Sequence, residues 1–353
     1  MRHPRVALVC ASLDILGGQG VQAHTLLQRL RRDGREVLFI PINPRFPRGL
    51  GGVRRYPYLR TLLNQALYLP SLRRLREADV AHVFSASYWS FLLAPLPAIL
   101  VARALGKRVV LNYHSGEADD HLTRWGRLVH PWLRLVDEIV VPSDYLRRVF
   151  ARHGYRARVI PNVVETSHFR YRERIPLRPR LLSNRNFEPH YRVEDTLDAF
   201  ARLRRRHPEA VLTVAGSGSE ERRLRRLAAS IEGVRFCGRV EPEAMRGLYD
   251  AADIFVNSSV VDNQPISVLE AFAAGLPVVS TPTGDIPAMV QGGERGVLVP
   301  PRDPAALAAA VAGLLEEPDR ALALARRARE AVRDYAWPRV SRQWAAVYAG
   351  EAA

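Results

Sequence analysis

The chain of 353 residues contains very little cysteine and lysine. Its two cysteines, Cys10 and Cys237, lie in apolar strand-like runs, where a small buried thiol is the usual state. They therefore indicate neither a disulfide framework nor a metal site, and they favour a reducing cytosol. Lys107 is the only lysine, so nearly all of the positive charge comes from arginine.

The sequence also lacks an apolar run long enough to span a membrane. The most apolar stretch, residues 88–102, is shorter than the roughly 20 residues of a spanning helix and contains Pro95 and Pro97. We expect it to form a broken helix packed on a sheet. The apolar run after Arg5 is short and leads into a glycine-containing loop, so we expect no secretory signal.

The formal net charge of +16 is concentrated in the first half of the chain. Residues 1–165 hold 25 basic and 12 acidic residues, a net +13, whereas residues 166–353 hold 27 and 24, a net +3. Arginines alternate with aromatic and aliphatic residues in RRYPYLRTLLNQALYLPSLRRLR, residues 54–76. This pattern is typical of a segment at an anionic lipid surface, although a general preference for arginine over lysine would also produce it. No nucleic-acid motif accompanies the charge, so we expect no nucleic-acid partner.

Apolar strand-like runs followed by helical periodicity recur along the whole chain. The runs are RVALVCAS, EVLFIPI, VAHVFSA, RVVLNYH, EIVVPSD and RVIPNVV, then RLLSNR, AVLTVAGSG, VRFCGRV, DIFVNSS, PVVSTP and GVLVP. This alternation predicts an α/β protein with two doubly wound parallel-sheet, Rossmann-like domains. We expect the first domain over residues 1–165, a linker at 166–180 where prolines and charges replace the periodicity, and the second domain over 181–335. The tryptophan-containing segment 336–353 predicts a last helix that packs back on the first domain.

The segment from Asp262 to Gly275 reads DNQPISVLEAFAAG and lies between two predicted strands. Pro265 predicts the start of a helix, whose free first-turn amides and dipole favour an anion such as phosphate. Asp262 precedes this helix and Glu270 lies about one and a half turns inside it, so a ligand can meet one acid on each side of the phosphate. A sugar and a ribose would fit these positions. The alternative interpretation is an N-cap loop followed by a solvated helix residue.

Several other polar or glycine residues directly follow predicted strands. Ligands of open parallel sheets gather at the carboxyl ends of the strands, and two such domains facing one another predict a site in a central cleft. The residues at these positions are Gly17, Gly18, His114, Arg185, Gly216, Gly218 and Asp262.

These features resemble the nucleotide-sugar glycosyltransferases of the GT-B fold, and specifically glycosyltransferase family 4, over nearly the whole chain. The stretch AGSGSEERRLRRLAASIEGVRFCGRVEPEAMRGLYDAADIFVNSS resembles the middle of that family's donor domain, and DNQPISVLEAFAAGLPVVSTPTGDIPAMV resembles its acid–seven–acid motif. In the first domain SLDILGGQGVQAH, LNYHSGEA and VVPSDYLRRVF agree more loosely. The resemblance implies a nucleoside-diphosphate-sugar donor, retention of anomeric configuration, and no metal or other cofactor.

The resemblance also assigns roles to the two acids. Glu270 would accept hydrogen bonds from the donor ribose, because a carboxylate offers several acceptor sites. Asp262 would hold hydroxyls of the transferred sugar, where the family usually has glutamate, and Asn263 would supplement the shorter side chain.

The donor diphosphate would be met by amides and arginine. Pro265 stands where many relatives have glycine and donates no amide, so the resemblance places the phosphate on Ile266 and Ser267. Arg185 corresponds to a basic residue that binds the diphosphate, for which a planar and permanently charged guanidinium is suited. Arg192 is the candidate for a second phosphate-binding cation.

The remaining positions lie around the donor and the acceptor. His114 matches a histidine near the donor sugar and the acceptor. Gly17 and Gly18 would permit close backbone approach to a phosphate or the acceptor, and Gly216 with Gly218 would shape a loop near the nucleotide.

Resemblance and charge together predict a retaining glycosyltransferase that acts on a glycan or lipid-linked acceptor in surface polysaccharide, lipopolysaccharide or glycolipid assembly. We expect it in the cytoplasm, peripherally at the inner face of the plasma membrane, with the basic first domain facing anionic lipid. Alternatives with the same fold are a sugar-nucleotide epimerase and a non-catalytic sugar- or lipid-binding protein. A pyridoxal-phosphate phosphorylase is not favoured, because it needs a cofactor lysine and Lys107 lies in a turn before a first-domain strand.

Overall fold

The structure, a computed structural model, describes residues 3–12, 14, 18–47 and 49–351, without the side chains of residues 51, 54 and 57. The chain divides into two compact units, one of Met1–Val163 together with Pro338–Ala353 and the other of Val164–Trp337. Over the described ranges each unit contains a six-stranded parallel sheet accompanied by helices. The predicted α/β architecture with two doubly wound sheets is therefore confirmed.

The sheet of the first unit consists of β1 (Val6–Cys10), β2 (Val37–Pro41), β3 (Val80–Ser85), β4 (Arg108–Tyr113), β5 (Glu138–Val141) and β6 (Arg158–Val159), in the order β2-β1-β3-β4-β5-β6. Its helices are α1 (Gly18–Arg32), α2 (Pro57–Ser71), α3 (Trp89–Leu93), α4 (Pro95–Ala104), α5 (Ala118–Arg124), α6 (Gly126–Leu133) and α7 (Asp144–Arg152). Short 3₁₀ helices cover Gly51–Arg55 and Leu72–Glu77.

The central strands of this sheet are buried on both faces. Every residue of β1 and β3 is buried, which is the usual state of parallel strands covered by helices and explains why their sequences are mostly apolar. The apolar stretch 88–102 forms α3 and α4, which are separated at Ala94, and Ala98 and Ile99 of α4 have no solvent exposure. The prediction of a broken helix packed on the sheet is confirmed.

The sheet of the second unit consists of β7 (Arg180–Asn184), β8 (Val211–Ala215), β9 (Val234–Gly238), β10 (Ile254–Asn257), β11 (Val278–Ser280) and β12 (Val297–Leu298), in the order β12-β11-β10-β7-β8-β9. Its helices are α8 (Val193–Arg204), α9 (Glu221–Ala228), α10 (Pro242–Ala251), α11 (Ile266–Ala274), α12 (Ile286–Met289), α13 (Pro304–Glu316) and α14 (Pro318–Ala331). Short 3₁₀ helices cover Thr166–His168, Pro189–Tyr191, Gln291–Gly293 and Val332–Tyr335.

Residues 166–180, predicted to be a linker, belong to the second unit. Arg174 is buried there, and Arg172 forms an ion pair with the buried Asp253. The two arginines donate to carbonyls at the carboxyl ends of α10 and α11, those of Tyr249, Asp250, Ala252 and Ala274. These charges therefore cap helix ends inside the second unit.

The last helix, α15 (Trp337–Ala349), packs on the sheet of the first unit. The Tyr348 hydroxyl lies 2.9 Å from Nδ1 of His82 in β3, and the Trp344 ring centroid lies 4.6 Å from that of His82. Arg108 of β4 donates to the carbonyl of Val347. Burial lowers the pKa of His82 to about 3, so its imidazole is neutral at physiological pH.

None of the helices in the described parts of the chain combines the length and the apolar character that crossing a membrane requires.

Candidate active site

The second sheet reverses its strand order at β7, which creates a place for a ligand. β7 is flanked by β8 and β10, so the chain runs outward through β8 and β9 and then crosses back to β10. Loops that leave the carboxyl ends of two such strands diverge and form a crevice. Arg185 directly follows β7, and the loop containing Asp262 follows β10.

Helix α11 begins at this edge of the sheet. Pro265 precedes it with φ −69° and ψ 121°, and Gly275 ends it in the left-handed conformation with φ 78°. A Cβ on Gly275 would lie 2.9 Å from the carbonyl oxygen of Arg172, so only glycine fits there. First-turn amides of a helix have no carbonyl one turn back, so Ile266, which is partly exposed, and Ser267 present donors toward the crevice.

The guanidinium of Arg185 is almost fully buried beside this helix start. Its side chain is 8% exposed, and its Nη1 donates to Ser267 Oγ at 3.0 Å. Nη2 forms an ion pair with the Asp262 carboxylate, whose side chain is 10% exposed. The guanidinium also lies over the ring of Tyr191, 4.2 Å from its centroid. The structure therefore holds a permanent cation at the N-terminus of α11.

Neighbouring loops fix the position of Asp262. Its second carboxylate oxygen accepts a hydrogen bond from the amide of Asn263 at 2.9 Å. The carbonyl of Asn263 accepts from the amide of Asp285, and Gln264 donates its side-chain amide to the Asp285 carboxylate. Gly284 makes this packing possible, because a Cβ there would lie 2.5 Å from the carbonyl oxygen of Asp262.

Glu270 lies in the second turn of α11 and connects to the same network. Tyr249 Oη donates to Glu270 Oε2 at 2.8 Å, and the same hydroxyl lies 3.1 Å from the carbonyl oxygen of Ser267. Glu270 keeps some contact with solvent, but protein atoms surround its carboxyl group densely enough that burial raises its pKa to about 7, and the bond from Tyr249 opposes this rise. Asp262 and Glu270 are therefore linked through Arg185, Ser267 and Tyr249 in one hydrogen-bond network.

Two glycines bring the Arg185 loop onto β8. Gly216 has φ 149°, and a Cβ there would lie 2.0 Å from the carbonyl oxygen of Arg185. A Cβ on Gly218 would lie 2.5 Å from the carbonyl oxygen of Phe187. The two glycines therefore shape the loop that carries Arg185, and the nearness of this loop to a nucleotide stays a prediction.

Arg192 has different partners from those the sequence suggests. It adopts the left-handed conformation, with φ 49°, immediately before α8. Its guanidinium forms ion pairs with Glu194 at 2.9 Å and with Asp195 at 2.8 Å. These acids lie in the first turn of α8 and neutralise the cation, and the contact of Arg192 with a phosphate stays a prediction.

The first unit contains the remaining predicted residues. His114 follows β4; its amide donates to the carbonyl of Ser85 at 3.1 Å, and its ring stacks on Phe84. Gly18 begins α1, and the adjacent Gln19 donates its side-chain amide to the same Ser85 carbonyl. Burial lowers the pKa of His114 to about 4, so its imidazole is neutral. Gly17 lies outside the described residues.

Sequence reasoning gave no role to Tyr191 and Tyr249, which hold Arg185 and Glu270. The sequence signal for Tyr249 is its position in GLYDAADIFVNSS, in the helix that directly precedes β10. No group of three or more His, Cys, Asp or Glu side chains in the described ranges is arranged to hold a metal ion.

Comparison with known proteins agrees with this arrangement. The protein-family model described as Glycosyltransferase Family 4 matches residues 16–168. The family model described as Glycosyl transferases group 1 matches residues 178–317. Glycogen synthase of Mycobacterium tuberculosis is 32% identical over 291 residues, covering 76% of this chain and 68% of the relative. Phosphatidyl-myo-inositol mannosyltransferase of Mycolicibacterium smegmatis is 27% identical over 368 residues, covering 98% of this chain and 93% of the relative.

Among solved structures, HepE of Anabaena in complex with UDP and glucose superposes with a TM-score of 0.75 at 16% identity, covering 98% of this chain and all of the other. The match extends over both units, and its low identity makes it evidence for the fold alone. Together with the matching family models and the similarity to glycogen synthase, these findings show that the chain belongs to glycosyltransferase family 4 and has the GT-B fold.

Proposed function

We propose that this glycosyltransferase transfers a sugar from a nucleoside-diphosphate sugar to the hydroxyl of a glycan or lipid-linked acceptor, with retention of anomeric configuration and without a metal ion. The observation that carries the proposal is the buried guanidinium of Arg185 at the N-terminus of α11, between Asp262 and Ser267. A fixed cation beside free helix amides suits a diphosphate, because both stabilise negative charge where little water is present. The HepE structure, which contains UDP and glucose, supports a donor of this class.

The residues around Arg185 have distinct tasks in this proposal. Glu270 accepts hydrogen bonds from the ribose hydroxyls, and Asp262 with Asn263 holds the hydroxyls of the sugar. The amides of Ile266 and Ser267, together with Arg185, bind the diphosphate. The resemblance to the family assigns His114 and the loop at Gly18 to the same reaction, to which His114 would bring a neutral imidazole.

The reaction exchanges one bond to the anomeric carbon for another on the same face. The bond from the anomeric carbon to the diphosphate oxygen breaks as the acceptor oxygen forms its own bond. The acceptor proton passes to the departing diphosphate, so no protein nucleophile is needed. Arg185 and the helix amides stabilise the charge that develops on the leaving group, which is the electrostatic contribution expected to dominate.

The proposal is tested first by binding. Uridine, guanosine, adenosine and thymidine diphosphates and their sugars are added singly, and the thermal unfolding of the protein is measured. A donor at a hundred times its dissociation constant should add about 2.7 kcal/mol of stability. Arg185→Lys should remove most of this gain because it lacks the planar guanidinium, whereas Arg202→Lys, at the exposed ion pair with Asp198, should retain it.

Transfer is then measured with the nucleotide sugar that binds, in the presence of a chelator, and the anomeric configuration of the product is read by NMR. Retention with full activity is expected. An inverted product, loss of activity on chelation, conversion of the donor to an epimer without acceptor, or stabilisation by none of the nucleotides would each overturn the proposal.

The acceptor side of the proposal rests on the exposed face of α2. Tyr58, Leu59, Leu62 and Leu69 are exposed, and helical spacing places them on one stripe of about 100°. The opposite face is anchored, since Tyr68 is buried and donates to the carbonyl of Ala94. Exposed arginines precede, interrupt and follow the helix: Arg55, Arg60, Arg73, Arg74 and Arg76. An apolar stripe bordered by cations complements an anionic lipid surface.

Flotation with vesicles tests this surface. The protein should float with vesicles containing phosphatidylglycerol, less so with pure phosphatidylcholine, and binding should weaken from about 0.1 M to about 0.5 M salt because screening shortens the range of the attraction. Tyr58→Ser with Leu62→Ser should abolish flotation, whereas Leu227→Ser, at an exposed leucine of the second unit, should not. Equal binding by all three proteins would exclude α2 as the lipid-binding element.

A further inference from the structure

Tyr249 presents one hydroxyl group to three polar neighbours in the interior of the second unit. Its side chain has no solvent exposure. Its oxygen lies 3.3 Å from the side-chain nitrogen of Asn184, 3.1 Å from the carbonyl oxygen of Ser267 and 2.8 Å from Oε2 of Glu270. These neighbours come from the end of β7 and from α11, so the hydroxyl joins this strand to the helix that begins at the crevice.

The hydroxyl has a single proton to donate, although two acceptors lie within reach. The amide of Asn184 donates to it, and the carbonyl of Ser267 only accepts. If Glu270 is ionised, the tyrosine proton points to the carboxylate. If Glu270 is protonated, its own proton points to the tyrosine oxygen and the tyrosine proton turns to Ser267. In both arrangements Tyr249 and Glu270 share a hydrogen bond, whereas the Ser267 carbonyl accepts the tyrosine proton only in the second.

We propose that Tyr249 is a positioning residue that gives Glu270 a hydrogen-bond partner in both protonation states and thereby sets the pH above which the donor ribose binds. This inference rests on the proposed contact of Glu270 with the ribose. Ribose hydroxyls donate best to a carboxylate, so donor affinity rises as Glu270 loses its proton. Tyr249 favours that state because its hydroxyl can donate to the anion in a site with little water.

No other charged group is placed to perform this task among the described residues around Glu270. Burial raises the pKa of Glu270, and Tyr249 is the one side chain that lowers it. Arg185 follows β7, and its positive charge opposes the rise that burial causes in the pKa of Tyr249. Arg185 is itself paired with Asp262. Arg246 of α10 contacts His168, and Arg329 of α14 donates to the carbonyl of Ala273 at the far end of α11.

The test is the pH dependence of nucleoside-diphosphate affinity, measured by calorimetry between about pH 5.5 and pH 9 with the diphosphate that stabilises the wild-type protein. If binding requires the carboxylate, affinity falls about tenfold for each pH unit below the midpoint, which lies near pH 7. In Tyr249→Phe the midpoint should move upward by about one unit, since a hydrogen bond to a charged group is lost. Affinity should then be about fivefold weaker at pH 7, about tenfold weaker at pH 6 and below, and within about twofold of wild type at pH 9.

Two further variants make the result specific. Tyr335→Phe removes another tyrosine hydroxyl of the second unit, one whose charged neighbours are Asp285, Arg295 and Asp334, and it should leave the midpoint unchanged. Glu270→Gln should bind weakly at every pH and show no midpoint. Carbon NMR of the Glu270 carboxyl group, in wild type and Tyr249→Phe, reads the same shift without a ligand.

The outcomes separate the inference from the function on which it rests. An equal loss of affinity at all pH values in Tyr249→Phe, or an unshifted carboxyl titration, would mean that Tyr249 only supports the fold. Failure of the wild-type protein to bind any nucleoside diphosphate at any pH would instead overturn the proposed function, while the NMR titration would still report on Tyr249 and Glu270.

Discussion

In the proposed function, Asp262 and the donor diphosphate would compete for the same guanidinium. In the structure, Asp262 pairs with Arg185, and both side chains are nearly buried. A diphosphate that took the place of this carboxylate on Arg185 would leave Asp262 available to the hydroxyls of the sugar. The ion pair therefore keeps the cation neutralised in the absence of donor, at a place where an unpaired buried charge would be costly.

This competition gives the first prediction. Asp262→Asn should bind a nucleoside diphosphate as tightly as the wild type or more tightly, because the amide no longer neutralises Arg185. Sugar transfer should fall about 100-fold or more, as expected on loss of a charged contact at the reacting centre. Calorimetry and initial rates measure the two effects, and Asp198→Asn, at the exposed pair with Arg202, serves as the control. Parallel losses of nucleotide affinity and transfer would contradict this division of roles.

Glu270 carries a stability cost whose sign follows from its pKa. Burial raises that pKa from 4.5 in the ordinary state to about 7 in the folded protein. Below pH 4.5 the group is protonated in both states and has no effect. Between pH 4.5 and 7 the unfolded chain ionises while the folded protein keeps its proton, so the free energy of unfolding falls as pH rises. Above pH 7 Glu270 is ionised in both states, and the free energy of unfolding stays lower by about 3 kcal/mol than it would be without this pKa shift.

The second prediction is that Glu270→Gln stabilises the protein at high pH although it impairs donor binding. Its free energy of unfolding should equal that of the wild type at pH 4 and exceed it by about 2–3 kcal/mol at pH 8, because the amide has no charge to desolvate. Urea denaturation across this range measures the difference. Glu209→Gln, at an exposed acid of the same unit, should follow the wild type. A variant that is less stable at pH 8 would show that the carboxylate is well solvated.

At the scale of elements, the third prediction concerns the contact between β8 and the loop after β7. Gly216→Ala would place a Cβ 2.0 Å from the carbonyl oxygen of Arg185, at a φ of 149° that alanine rarely adopts. The loop must move, so we expect a loss of about 1–3 kcal/mol in stability and weaker nucleoside-diphosphate binding. Thermal unfolding with and without nucleotide measures both. Gly247→Ala is the control, because Gly247 lies inside α10 and no atom lies within 4 Å of the position of its Cβ. This variant should gain about 0.5–1 kcal/mol in stability. Similar behaviour of the two variants would refute the contact between Gly216 and the carbonyl of Arg185.

Elements whose signals are local could be predicted from the sequence. The buried strands appear as continuous Val, Ile and Leu runs, and Pro265 and Gly275 bound α11 because proline fits a helix start and glycine the left-handed end. The same signals correctly place Arg185 and Asp262 at the carboxyl ends of neighbouring strands, although their binding roles stay predictions.

Partners of long polar side chains could not be predicted in this way. Arg192 follows β7 and is the candidate for a second phosphate-binding cation, yet in the structure it pairs with acids of its own helix α8. Arg172 and Arg174 make residues 166–180 look like a solvated linker, yet both cap helix ends inside the second unit. Which carbonyl or carboxylate an arginine meets depends on the packed structure and leaves no periodic pattern in the sequence.

At the scale of the whole molecule, the first unit is completed by the end of the chain. Its sheet is built from residues up to Val159, yet α15 supplies Trp344 and Tyr348 to its interior. The neutral His82 is enclosed by these two rings and by Phe84. The core of the first unit therefore depends on a helix that follows the second unit in the sequence.

The fourth prediction tests this dependence with two tryptophans of the first unit. Trp344 is 4% exposed and lies beside His82. Trp344→Ala should lower the free energy of unfolding by about 3–5 kcal/mol, because it leaves a cavity at this place. Trp89→Ala, at a side chain that is 66% exposed, should change stability by about 0.5 kcal/mol or less. Hydrogen exchange read by mass spectrometry assigns the loss to a unit: peptides from β1, β3 and β4 should lose protection in Trp344→Ala, whereas peptides from β7, β8 and β10 should keep it. Equal loss in both sets would mean that the two units unfold as one, and equal effects of the two substitutions would mean that α15 contributes little to the core of the first unit.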